Sequence, residues 1–336
     1  MTPPDTASVT AAPQGTRQDR PYPISIAFAD YDRTRPLIDG RVTAKGIALK
    51  ATNQWVGDFC TRPVYEEYDA AEMSLSWYVA ARDRGEPCIA IPVFPLRDPI
   101  LAYVYARTGS PVSKPADLVG KRIGVEGYRY TINLWLRGLF EEHYGLSPEQ
   151  VIWDTSEAET AAAGYVVPKT VRVELREGKT AAQKLRDGEV DAIFCPRVPK
   201  EFRESETWIR RLFPDCQAEC QRLARQLGYV PVSHTIVMRK DLAERKPWIA
   251  VSLYEAFVEA QKSADECCWT EKMVSYVDSM FLLEQQRAAY GDAPYRHGFG
   301  HNRAAMETFV RYAHRQGYIS RPMPVEDLFV PETLRL

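Results

Sequence analysis

The chain has 336 residues with a net charge of −2, of which 45% are hydrophobic and 26% charged, the composition of a globular protein long enough to bury a large core. Without a basic excess it offers no electrostatic footprint for nucleic acid or an anionic membrane, and no apolar run approaches the ~18 residues that a spanning helix needs. Seven scattered cysteines with no C-x-x-C pair suggest neither a disulfide framework nor a zinc ribbon, and Cys216 and Cys220, four apart on an expected helix, read as buried reduced thiols.

In chain order, residues 1–21 lack an apolar h-region and read as a disordered leader rather than a secretory signal, which points to the cytoplasm. Residues 24–29 (ISIAFA) make an opening strand, followed by a short helix with Pro36 in its first turn. Strands are expected at 46–51 and 69–72, and a helix over 74–84 that stops at Gly85. Strands at 88–94 and 101–107 close this first unit. A fresh unit starts at Lys114: a strand at 121–125 (KRIGV), a helix over 130–143, strands at 151–153 and 171–175, a helix over 180–186 and a buried strand at 190–194. Two polar-faced helices are expected near 206–213 and 215–226, then a strand at 234–238. The rest reads as helix, over 248–264, 271–289 and 304–316. No internal repeat stands out.

Strands alternating with helices argue for an α/β architecture. The restart at Lys114 divides the chain into two lobes, 22–107 with 235–336 and 108–234, with the C-terminal helices on the first lobe and a ligand cleft between the two. Closure of that cleft is expected to exclude water during the reaction.

Several motifs, taken in order, carry a resemblance. They are DYDRTRPL at 30–37, DAAEMSLS at 69–76, PVFP at 92–95, LVGKRIGVEGY at 118–128, NLWLRG at 133–138, GEVDA at 188–192 and GFGHNR at 298–303, with QGY and EDLF behind. The chain resembles the 4,5-dihydroxyphthalate decarboxylase family over residues 22–332. The resemblance implies the two-lobed type II periplasmic-binding-protein fold and a decarboxylase of an aromatic or heteroaromatic hydroxy acid, working by ring-carbon protonation and loss of CO2. Where the family pattern has R-x-F-R-H, this chain has Arg97-Asp98-Pro99-Ile100-Leu101; where it has Y-G and x-P-N-R, this chain has His297-Gly298 and His301-Asn302-Arg303. These exchanges involve polar groups of the kind that line a site, so the substrate need not be 4,5-dihydroxyphthalate itself.

Decarboxylating an aromatic acid without an electron-sink cofactor calls for a proton donor to the ring carbon, an acceptor for a phenolic proton, and cations for carboxylates. Candidate acids and bases are His297, His301, His234 and Glu72. Arg33, Arg35 and Arg97 offer guanidinium forks for carboxylates, against a structural reading as salt-bridge partners of nearby aspartates. Tyr31 is placed to stack on a ring, or to fill the core. Ser74 opens a helix and serves either as its N-cap or as a ligand contact. The segment holding Tyr128, Tyr130 and Thr131 joins a strand to a helix whose free N–H groups suit an anion. Arg137 follows on that helix, and Asn302 and Arg303 either bind substrate or cap the last long helix.

No GxGxxG after the first strand, Walker loop, GxSxG or HExxH is present, so no cofactor is expected. One divalent metal on the His297/His301 spacing stays open. The expected partner is a small aromatic carboxylate, with no nucleic acid and no membrane, and a homo-oligomer stays open. The alternatives are a non-catalytic solute-binding protein, for which a transport receptor would need an export signal, and a binding-protein-fold enzyme of another reaction type.

Overall fold

The computed structural model describes residues 20–58, 63–158, 167–270 and 275–336; most of the expected leader, and Cys60, lie outside these. The chain begins with β1 (Tyr22–Phe28), α1 (Arg35–Ile38), β2 (Ile47–Asn53), α2 (Val64–Glu67), β3 (Ala70–Ser74), α3 (Leu75–Asp83) and β4 (Cys88–Ile91). A second run follows: β5 (Val104–Arg107), β6 (Arg122–Val125), α4 (Thr131–Tyr144), β7 (Ile152–Thr155), β8 (Arg172–Leu175), α5 (Ala181–Arg186), β9 (Ala192–Phe194), α6 (Lys200–Arg203), β10 (Ile209–Arg211) and α7 (Cys216–Leu227). The chain then returns through β11 (His234–Arg239) into α8 (Lys240–Arg245), α9 (Pro247–Thr270), α10 (Ser279–Tyr290) and α11 (Phe299–Arg315).

The strands form two sheets, ordered β2-β1-β3-β11-β4 and β10-β5-β9-β6-β7-β8. In the first, β11 is antiparallel to both its neighbours, while β1 runs parallel to β2 and β3. In the second, β5 is the strand antiparallel to both neighbours, and β6 runs parallel to β7 and β9. Counted within its own lobe, each sheet reads second, first, third, a crossover strand reversed, then fourth, with β8 added on one edge. The topology therefore repeats although the sequence does not. Each reversed strand lies beside the passage of the chain from one lobe to the other.

Apolar periodicity explains most elements; two expected elements differ, and so does one expected packing. Residues 206–213, expected as a helix, contain β10, which pairs with β5 and buries Ile209; three residues are too few to show a strand's period of two. The last long helix begins at Phe299, not at 304. Gly298, at φ +102°, turns the chain sharply so that Phe299 enters the core, and Gly300 is carried inside the helix. The C-terminal helices do not all lie on the first lobe. Helices α8 and α9 pack under the first sheet, α9 with Ile249, Leu253 and Phe257 against Ile24, Ile26 and Phe28. Helix α10 touches α7, and α11 wedges between α3 of the first lobe and α4 of the second. Among the described residues no helix is long and apolar enough to cross a membrane.

Candidate functional site

A cleft of about 780 Å³ opens between the two sheets. It is built where strand ends converge, the usual place for a ligand in α/β folds: Ser74 at the end of β3, His234 at the start of β11, Glu126 after β6, Arg197 after β9, and Thr131 at the first turn of α4.

Its chemical centre is a buried carboxylate beneath an imidazole. In the β3–β11 pair Ser74 faces His234 and Glu72 faces Ile236, so Glu72 and His234 are diagonal neighbours on one face. Glu72 has no exposed surface. Its Oε2 accepts the Ala29 N–H at 3.0 Å, and its Oε1 accepts the Tyr31 hydroxyl at 2.8 Å and lies 2.5 Å from His234 Nδ1. A carboxylate so supplied with donors calls for an N–H on Nδ1 and leaves Nε2 as the nitrogen on the cleft side. Asp98, on the loop after β4, lines the same space. It accepts the Tyr103 hydroxyl at 2.9 Å and the Ser233 hydroxyl at 3.4 Å. Burial pushes its carboxyl above the usual range, against the pull of the Tyr103 bond and of His234.

The walls are aromatic. Trp55 has its ring centre 6.1 Å from that of His234, and the Arg197 guanidinium sits over the same indole at 5.6 Å. Trp55 belongs to the first lobe and Arg197 to the second, so the contact spans the cleft. Ser74 bonds Thr131 at 2.7 Å, and Thr131 also accepts the Ser76 amide at 3.0 Å. Ser74 occupies the N-cap position of α3 without capping it; its hydroxyl reaches the other lobe instead. Tyr130 lines the cleft and donates to Glu157 at 2.7 Å.

The structure thus brings Glu72, His234, Tyr31, Ser74, Tyr130 and Thr131 together, with Tyr31 behind Glu72 rather than on the cleft wall. The other expected site residues stand apart. Arg33 is held between the rings of Tyr31 and Tyr295, at 4.3 and 4.4 Å, and donates to the Pro95 carbonyl at 2.6 Å and to Asp32 at 2.9 Å. Its fork is spent inside the first lobe. Arg35 is exposed and pairs with Asp30. Arg97 is buried and donates to Asn302 at 2.6 Å and to the Arg296 carbonyl at 2.8 Å, while Asn302 holds the Gly298 carbonyl at 2.7 Å. This pair secures the first turn of α11. Arg303 is exposed and paired with Glu307 and Glu326.

Arg137 stacks over Tyr128 at 3.7 Å and donates to Gln316, Tyr318 and the Tyr128 carbonyl. It clamps α4 to the chain end, and Tyr128 is buried under it. His297 is 5% exposed and accepts the Phe94 N–H at 3.2 Å; desolvation, then Arg97 and Arg33, push it down to about 3. A ring that stays neutral and faces the interior is no proton donor to a cleft ligand. His301 lies exposed on α11, and among the described residues no group of three His, Cys, Asp or Glu could hold a metal ion. Sequence reading passed over Asp98, Trp55 and Arg197. Arg197 had a usable signal, because it follows the buried strand VDAIF on the loop where parallel sheets bind ligands.

No family model matches the chain. A 4,5-dihydroxyphthalate decarboxylase from Comamonas testosteroni is 34% identical over 328 residues, covering 93% of this chain and 97% of the relative. A 4,5-dihydroxyphthalate decarboxylase from Pseudomonas putida is 36% identical over 213 residues, covering 61% of this chain and 83% of that one. Among solved structures, the periplasmic aliphatic sulphonate binding protein SsuA from Escherichia coli superposes with a TM-score of 0.57 at 13% identity, covering 94% of this chain and 100% of that one. The likeness shows the fold: this is a periplasmic-binding-protein architecture.

Proposed function

The chain belongs to the 4,5-dihydroxyphthalate decarboxylase family and is a carboxy-lyase, and from that premise we propose that it decarboxylates a dihydroxyphthalate-type acid by protonating the ring carbon, with His234 as the proton-handling group and no electron-sink cofactor. The observation that carries this reading is the imidazole of His234, fixed by buried Glu72 at 2.5 Å and lining a cleft of substrate size. In such an acid one hydroxyl is para to each carboxylate. As that hydroxyl gives up its proton, electron density moves to the carbon bearing the carboxylate, which takes a proton. The carbon–carbon bond then breaks, its electron pair restores the aromatic ring, CO2 leaves, and the phenol is reprotonated. One proton is consumed and one CO2 released.

His234 delivers the proton to carbon, with ionised Glu72 stabilising the charged imidazole. Asp98, whose burial raises its proton affinity, accepts the phenolic proton. Arg197 and the free amides at the start of α4 hold the carboxylates, and the indole of Trp55 lies flat against the ring.

The test is CO2 release from 4,5-dihydroxyphthalate and a panel of hydroxylated mono- and dicarboxylic aromatic acids. In heavy water the product should carry one deuterium at the vacated carbon. His234→Asn should lower kcat by ~10²–10⁴, the usual share of general acid–base catalysis. Dialysis against a chelator should leave the rate unchanged; a loss restored by a divalent metal would replace the cofactor-free reading with a metal-assisted one.

A further inference from the structure

The segment DYDRTRPL carries much of the family likeness, yet its arginines do not enter the cleft, and the reaction just described makes no use of its tyrosine. The hydroxyl of Tyr31 donates at 2.8 Å to the same Glu72 oxygen that faces His234 Nδ1 at 2.5 Å. We infer that Tyr31 is a positioning residue for His234, acting through Glu72 and held in place by the Arg33–Tyr295 stack; the inference rests on the reading of His234 as the proton-handling group.

The ring of Tyr31 is clamped. Arg33 lies over it at 4.3 Å and over Tyr295 at 4.4 Å. The Arg33 Nε–H is fixed to the Pro95 carbonyl at 2.6 Å, and the Tyr295 hydroxyl to the Arg97 carbonyl at 3.0 Å. The backbone of Tyr31 is fixed too, its N–H meeting the Thr34 hydroxyl at 3.0 Å while that hydroxyl donates to the Ala29 carbonyl at 2.7 Å. A phenol immobilised at ring and backbone points its O–H at one oxygen of one carboxylate. It shares the negative charge of Glu72 with the imidazole, and so sets both the direction in which the ring leans and how strongly it holds its second proton.

The charged and titratable groups around His234 come from every wall. Glu72 stands beneath it on β3, Tyr31 behind Glu72, Asp98 across on the loop after β4 with Tyr103 bonded to it, Arg33 within electrostatic reach of Tyr31 and Asp98, and Arg197 of the other lobe over the Trp55 ring beside it. Removing only the Tyr31 hydroxyl leaves all other charges in place. Glu72 then has one donor fewer, and it attracts the imidazolium more strongly.

Tyr31→Phe keeps the ring and its stack, so the fold is retained. In substrate-free protein, the His234 ring signals followed by NMR should titrate at a pH higher by about 0.5 unit or more in this variant. In turnover, the alkaline limb of the kcat/KM profile, where the proton that His234 delivers is lost, should move the same way. The value of kcat should fall roughly tenfold, the order lost when an outer partner of an oriented imidazole is removed, with KM nearly unchanged.

Tyr295→Phe removes a phenol from the same stack without touching Glu72 and should leave the His234 signals where they were. In a Glu72→Gln background, Tyr31→Phe should add no further shift. Unmoved His234 signals in Tyr31→Phe, or an equal movement in Tyr295→Phe, would overturn the assignment. Because the NMR titration needs no substrate, a protein that releases CO2 from none of the acids sinks the catalytic reading and leaves this test standing on its own result.

Discussion

At the scale of single residues, the groups that looked most reactive are placed for stability. The Nδ1 atom of His297 accepts the Phe94 N–H, a bond available only to the neutral ring. Burial, Arg97 and Arg33 push this histidine down to about 3, whereas in the unfolded chain it titrates near ~6.5. Between those values the unfolded state binds a proton that the folded state refuses. Stability should therefore fall as pH drops through that window, by at most about 1.4 kcal/mol per pH unit for one group. Asp98, raised by burial, acts with the opposite sign, losing stability as pH rises, so it does not mimic the effect. His297→Gln keeps an acceptor for Phe94 and should flatten the acid side of the curve. Urea midpoints of both proteins at pH 7 and pH 5 measure it, and an equal acid loss in the two would assign the slope to other groups. A histidine on a glycine-rich stretch reads as accessible from sequence, because nothing local records that an amide two hundred residues away is seated on it.

Between elements, the contact of α4 with α11 shows what the motif NLWLRG does. A Cβ on Gly138 would fall 2.2 Å from Cδ2 of Tyr312, so the two helices approach at the point where one has no side chain. Tyr312 also stacks edge-on against Trp135, with ring centres 5.8 Å apart. Alanine for glycine in an exposed helix gains about 1 kcal/mol, but here overpacking costs about 1–3 kcal/mol. Gly138→Ala should thus lower the melting temperature, and Tyr312→Leu in the same chain should recover part of the loss. A rise in melting temperature for the single variant would contradict the close approach. The elements legible in sequence are those with enough length for a period to show, such as α4, or with buried apolar runs, such as β9 and β11. Short edge pieces like β10 and the start of α11 were set by partners distant in the chain. The site divides in the same way. Ser74, His234 and Thr131 sit at strand and helix ends, with Glu72 two residues short of one, where sequence order alone points to a cleft. Arg33, Arg97, Arg137 and Asn302 carry equally suitable chemistry but are consumed by contacts that only the tertiary fold creates.

Over the whole molecule, two sheets do not make two independent units. One apolar cluster contains Tyr78 and Val79 of α3, Leu136 and Leu139 of α4, and Met306 and Phe309 of α11, so both lobes share it through the wedge of α11. Hydrogen bonds reinforce the junction. The Ser74 and Thr131 hydroxyls join at 2.7 Å, the Ser76 N–H donates to the Thr131 hydroxyl at 3.0 Å, and the Ser76 hydroxyl donates to the Arg129 carbonyl at 3.1 Å. Closure of the cleft, expected as a movement of one lobe against the other, must proceed without opening this core, because separating α11 from either lobe exposes its buried face. Domains that meet only through a small polar interface unfold separately, whereas a large apolar one makes them cooperate. Calorimetry should therefore give a single endotherm covering both lobes, with fluorescence from Trp55 in the first lobe and Trp153 in the second lost at the same temperature; single-tryptophan variants supply the two probes. A substrate analogue bound in the cleft should raise both midpoints together by mass action. Two resolved transitions, or a ligand that stabilised one probe and left the other unmoved, would show that α11 belongs to one lobe alone and that the shared cluster is not what couples them.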